Sequence, residues 1–96
     1  MSVSEVVHFR LRKEALDDFQ GLSSAMGTFL ASRKGFISRT VLKDVNNPLV
    51  ILDIVVWASL DEATGAAKAV EEEASMAPFL QAIEEIISMS HYTVEG

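Results

Sequence analysis

The sequence predicts an α+β domain with the order strand, helix, strand, strand, helix, strand: one four-stranded antiparallel sheet with two helices on one face. Three observations predict it. Apolar spacing changes from the two-residue period of a strand to a helical period twice, and returns each time. The two middle strands are separated only by a short turn around Asn46-Asn47-Pro48, so they form an antiparallel hairpin. Each helix lies between two strands, where a right-handed crossover brings the chain back to the same sheet. All 96 residues are assigned to one domain, 1–96, which is large enough for a real core.

The first strand is expected over 3–11, with Val3, Val7, Phe9 and Leu11 on one side and Val6, His8 and Arg10 on the other. From about Lys13 the period becomes helical, with Leu16, Phe19, Met26 and Leu30 on one stripe. Arg33 and Lys34 suit the negative end of that helix, and Gly35 is its expected stop. Gly21 and Gly27 weaken the helix interior and suggest close packing. The second strand is expected over 36–44, ending at the Asn-Asn-Pro turn.

The segment from Val50 to Ala63 is the most informative. Val50, Leu52, Ile54, Val56 and Ala58 alternate as one wholly apolar face, opposite Ile51, Asp53, Val55 and Trp57. A strand apolar on both faces needs cover on both, and helices on one side leave the other wet. A second copy of the sheet is the expected cover, which implies a homodimer enclosing Asp53 and Trp57. Ser59-Leu60-Asp61-Glu62 then reads as a capping box opening the second helix. Ala63, Ala66, Ala67 and Val70 give that helix a small-residue face. Pro78 is placed in the first turn of a new helical piece, with Ser75 as a candidate cap. Phe79, Leu80, Ile83, Ile86 and Ile87 are assigned to its apolar stripe, and 88–95 to the fourth strand. The element order is the ferredoxin-like one. Crossover handedness is expected to make the first and third strands central, parallel neighbours, in the spatial order fourth, first, third, second.

Composition removes several function classes. Hydrophobic residues make up 49% of the chain and charged ones 23%, so it is an ordinary globular sequence. A net charge of −6 argues against a nucleic-acid partner. The longest apolar run, within 49–58, is broken by Asp53, so no membrane span is expected. The start MSVSEVVHFRLR lacks the pattern of a secretory signal, and cytoplasmic location is the default. Without cysteine there are no disulfides, thiolate nucleophiles or thiolate metal sites. No GxSxG elbow and no phosphate-cradling glycine loop is present.

The strand ending in Trp57, the WASLDEATGAA run into the second helix and the order of elements resemble the dimeric α+β barrel superfamily. Within it, the chain is most similar to antibiotic-biosynthesis-monooxygenase-like domains. That resemblance implies two sheets paired into a barrel, with small aromatic or polyketide ligands, or haem, bound between sheet and helices or inside the barrel. The haem-degrading and monooxygenase members typically carry a His about two turns into the second helix. Here that region reads Ala63-Thr64-Gly65-Ala66-Ala67-Lys68, and both histidines, His8 and His91, lie on strands. Nor does the first strand offer a counterpart to the Asn of the cofactor-free oxygenase site.

Candidate residues follow. His8, Asp53 and His91 are the candidate catalytic set, since a His beside a buried carboxylate is a reasonable general base. Trp57, Arg10 and Arg39 are the candidate ligand contacts. For each there is a bland reading: Trp57 fills a dimer core, Asp53 pairs with a basic neighbour, and Arg39 is an edge-strand charge that discourages sheet extension. His8, Asp53 and His91 come from separate strands without metal-site spacing, so no metal is assigned. The expected function is a small-molecule-binding protein or cofactor-independent oxygenase or isomerase-like enzyme acting without haem or flavin. The alternative is a non-catalytic dimeric scaffold or sensor with a structural polar cluster.

Overall fold

The computed structural model describes residues 1–95. Strand β1, Val3–Leu11, is followed by a 3-10 turn at Lys13–Ala15 and helix α1, Phe19–Ala31. Strands β2, Phe36–Lys43, and β3, Val50–Trp57, form the hairpin. Helix α2, Leu60–Glu72, leads through a 3-10 turn at Ala74–Met76 to the short helix α3, Ala77–Gln81, and to strand β4, Ile83–Tyr92. The fold is the expected βαββαβ ferredoxin-like one.

The sheet order is β2-β3-β1-β4, as predicted. The direction of the central pair is not. β1 and β3 are antiparallel, with Val7 opposite Asp53 and Phe9 opposite Ile51. Each crossover does return the chain parallel to where it started, but one strand further away. β1 runs parallel to β2 and β3 to β4, and an antiparallel strand separates the members of each pair.

Odd-numbered residues of β1 and β3 face the helices. Phe9, Leu11, Ile51, Val55 and Trp57 are buried there against Phe19, Met26, Leu30, Ala66 and Val70. Phe9, Phe19 and Phe79 meet with ring centroids 5.9–6.2 Å apart. Each such pair contributes about 0.5–1.5 kcal/mol beyond area burial. The opposite face of β3, Val50, Leu52, Ile54 and Val56, is only half-buried. The expected faces of β3 are therefore reversed: Asp53 and Trp57 lie under the helices, and the wholly apolar set faces outward. Bulk explains the choice, because Trp57 and Ile51 fill the helix-to-sheet layer.

The ends of elements show local physics. Gly35 has φ +87°, and a Cβ there would collide with the Glu62 carboxylate. Ser59 Oγ accepts from the Glu62 amide at 3.2 Å, so half of the capping box forms. The reciprocal half does not: Glu62 packs over Gly35, and its Oε2 is buried without a partner. In the hairpin turn, Asp44 Oδ1 accepts from Asn46 N and Asn47 N, at 2.7 and 3.2 Å. Ser75 does not cap α3; its hydroxyl donates to Glu73 Oε1 at 2.9 Å. Regular α-helix begins at Phe19 rather than Lys13, because the first turn is closed by three-residue bonds such as Ala15 N to Arg12 O.

β4 departs most from expectation, since Ile83, Ile86 and Ile87 belong to the strand and not to a helix. Its pairing with β1 contains two register shifts, between His8 and Phe9 and between Arg10 and Leu11. Each inserts an extra residue, so Ile83, Ile86 and Met89 all lie opposite helix-facing positions of β1, namely Leu11, Phe9 and Val7. Bulges at these two places convert a two-residue period into a three-residue one, which imitates a helix in sequence.

Candidate functional site

Between the sheet and the helices lies a cavity of about 160 Å³. Phe9 and Val55 form its floor, Met26 and Ala66 its roof, and Trp57 one wall. Ile86 and Met89 of β4 stand at its exposed side. Two strand carboxylates, Glu5 and Asp53, reach this largely apolar space, and the exposed Glu71 of α2 stands at its margin. Such a wall with a few polar groups is the usual composition of a small-molecule site. A cavity near 150 Å³ with apolar lining holds a single benzene-sized ring, as an engineered example in another protein shows.

Asp53 is 6% exposed, and its charge is answered by Arg39. Arg39 Nε donates to Asp53 Oδ1 at 3.0 Å and Nη2 to Oδ2 at 2.7 Å, a bidentate pair. Nη1 donates to the Ser23 carbonyl of α1 at 2.7 Å. Gly27 allows this approach, because a Cβ there would stand 3.2 Å from Nη1. The guanidinium also lies 6.0 Å from the Phe79 ring centroid. Arg39 is therefore a buried clamp between α1 and β3, not an edge charge facing water.

Trp57 is 1% exposed and packs edge-on to Phe36 with centroids 5.8 Å apart. Its Nε1 is buried without a hydrogen-bond partner, which leaves one donor on a cavity-lining side chain. At the far edge of the sheet, His91 Nε2 lies 3.0 Å from Glu5 Oε2. Burial pushes the Glu5 carboxyl above its ordinary range, and the negative Asp53 adds to this. The hydrogen bond and charge of His91 offset part of the effect.

The structure thus brings Asp53, Trp57 and Arg39 together and places His91 beside Glu5. It separates His8 and Arg10 from them. Phe9 and Leu11 do face the helices, so His8 stands on the outer face, paired with Leu52 and not with Asp53. Arg10 shares that outer face and bonds Glu85 at 2.6 Å. The imagined Asp53–His8 contact is excluded by side-chain alternation alone. Among the described residues, no three His, Cys, Asp or Glu side chains gather to hold a metal ion. Sequence reasoning missed Glu5. The signal was present: Glu5 falls between Val3 and Val7 on the face that becomes the core.

Haem, which the resemblance raises, does not fit these residues. The cavity side of α2 offers Ala66, Ala67, Val70 and Glu71, with no histidine to serve as axial ligand, and about 160 Å³ does not admit a porphyrin.

No family profile and no curated protein matches this chain. Solved structures do. A protein assigned as an antibiotic biosynthesis monooxygenase from Bordetella bronchiseptica superposes with a TM-score of 0.84. It is 10% identical, over 98% of this chain and 97% of that one. SnoaB, a cofactor-independent oxygenase from Streptomyces nogalater, is 21% identical with a TM-score of 0.75, over 99% of this chain and 94% of that one. A further protein assigned as an antibiotic biosynthesis monooxygenase, from Chloroflexus aurantiacus, gives 16% and 0.77 over 100% and 95%. The chain therefore shares the ferredoxin-like fold of these proteins, several of which are described as antibiotic biosynthesis monooxygenases.

Proposed function

We propose that this chain binds a small aromatic or polyketide-like ligand between its sheet and helices, as a cofactor-independent oxygenase or isomerase-like enzyme. The observation that supports this most is the cavity itself, apolar and aromatic-walled, with Trp57 Nε1 unpartnered and two carboxylates at hand. An oxygenase without a cofactor needs a substrate that loses a proton and then supplies electrons to dioxygen. A water-poor space with a proton acceptor suits that requirement. The structural neighbours include a protein with that description. The protein acts as a cytoplasmic homodimer whose two sheets pack through Leu52, Ile54 and Val56. Among the described residues that apolar face is only half-buried within one chain.

Single-ring aromatics should raise the melting temperature of the protein, by an amount that grows with ligand concentration. At 100 times the dissociation constant the gain is about 2.7 kcal/mol. Ala67→Leu, at a half-buried cavity-lining position, should reduce it. No stabilisation by any aromatic of this size would refute a ligand site. Dioxygen consumption with hydroxylated aromatics, without added metal or flavin, then tests turnover. Light scattering should give twice the 10.5 kDa chain mass, and Ile54→Lys should give the chain mass.

One observation favours the non-catalytic alternative. The Asp53–Arg39 pair has its hydrogen bonds satisfied within the fold, as a structural polar cluster would. A protein that binds aromatics and consumes no dioxygen with any of them would establish the binding module.

A further inference from the structure

Three carboxylates line the cavity: Glu71 of α2 is exposed, and the two strand carboxylates, Glu5 and Asp53, differ in their surroundings. Asp53 is spent on Arg39, with both oxygens engaged at 2.7–3.0 Å. Glu5 has one oxygen on His91 and none on a cation held inside the fold. Its side chain is 12% exposed, and that of its partner His91 is 27% exposed. The register aligns the pair: Glu5 lies directly opposite His91 on one side and Val55 on the other. Among the described residues, Glu5 Oε1 is thus the one oxygen of the two strand carboxylates with no hydrogen-bond partner.

We propose that Glu5 is the acceptor for a weakly acidic O–H or N–H of the bound ligand, with His91 as the positioning residue that holds its carboxylate. The inference rests on the cavity being a ligand site. In the step it describes, the ligand O–H donates to Glu5 Oε1. For a sufficiently acidic ligand that bond breaks, its electron pair stays on the ligand oxygen, and the proton rests on Glu5. No co-reactant is required. His91 of β4, Asp53 of β3 and Glu71 of α2 are the ionisable groups near this carboxyl, with Arg39 of β2 occupied by Asp53. The cavity residues from α1 and α3, such as Met26 and Phe79, are apolar. Burial and Asp53 favour the neutral acid, whereas His91 favours the carboxylate that an acceptor must be.

Phenol and toluene are nearly the same size and differ by one O–H, so their affinities test the assignment. Binding is followed by the emission of Trp57, the single tryptophan, and by thermal shift. At neutral pH, phenol should bind about 10-fold tighter than toluene, the lower end for a hydrogen bond to a charged acceptor. Glu5→Leu should abolish that preference and keep toluene binding. The phenol preference should fall away in acid as Glu5 takes up its proton. Glu5→Gln should remove that pH dependence, and His91→Phe should move its midpoint to higher pH. A preference that survives in Glu5→Leu, or phenol binding no better than toluene, overturns the role of Glu5 and leaves the cavity reading standing. If neither compound binds the wild type, both readings fall. An unmoved midpoint in His91→Phe removes His91 from the assignment.

Discussion

Replacing Asp53 by Asn tests how the buried ion pair of the core is held. The change keeps shape and leaves Oδ1 able to accept from Arg39 Nε, but puts an NH2 group against Nη2. It also removes the anion bonded to a guanidinium whose side chain is 9% exposed. Breaking one partner of a buried ion pair costs about 3–5 kcal/mol, because the survivor is left charged and uncompensated. The remaining bond from Nη1 to the Ser23 carbonyl and the retained Oδ1 acceptor place the expected loss near the lower end, about 3 kcal/mol. For a domain of this size that corresponds to a fall in Tm of roughly 12–24 °C. Urea unfolding and thermal circular dichroism at one fixed protein concentration measure it, since dimerisation makes stability concentration-dependent. The double variant Asp53→Leu with Arg39→Met removes both charges and should be less destabilised than Asp53→Asn, because no unpaired ion remains. A loss below about 1 kcal/mol in Asp53→Asn would mean that water already reaches the guanidinium, and would refute the buried-pair account.

Further predictions follow from single positions. Gly35→Ala should cost more than about 1 kcal/mol in urea unfolding, because φ +87° strains any side chain and the new Cβ would meet Glu62. Ser59→Ala should cost about 1 kcal/mol by the same measurement, through loss of the acceptor for the Glu62 amide. Glu5 has a folded pKa raised above its unfolded value, so the native state binds the proton more readily and stability falls as pH rises between the two values. Glu5→Gln should lack that decline: its stability relative to wild type should rise across this acid window and level off above it. Urea midpoints measured from acid to neutral pH would show the opposite slope if the His91 contact outweighed burial.

Much of the fold was legible because it depends on local period and punctuation. The β3 alternation, the Asn46-Asn47-Pro48 turn and the Ser59 cap each depend on a residue and its immediate neighbours, and each formed; α1 instead ends at Ala31 with Ser32 as its cap, so Arg33, Lys34 and the expected Gly35 stop lie beyond the helix. The order β2-β3-β1-β4 follows from short connections and crossover handedness. Trp57 and Asp53 were recognised as sharing one face, since alternation settles that without any partner.

Tertiary structure decided what local pattern leaves degenerate. A strand apolar on both faces does not encode which face meets the helices. That depended on the volumes of Trp57 and Ile51, and on Arg39, 14 residues away, reaching across the hairpin to neutralise Asp53. The spacing of Ile83, Ile86 and Met89 is the same for a helix and for a doubly bulged strand, and only pairing with β1 distinguishes them. Glu5 gained its contact with His91, 86 residues distant, once β4 had paired with β1. Sequence determines period, caps and turns because their energies are local. The side of the sheet that closes and the carboxylate that remains free come from volumes and charges brought together only when the chain has folded.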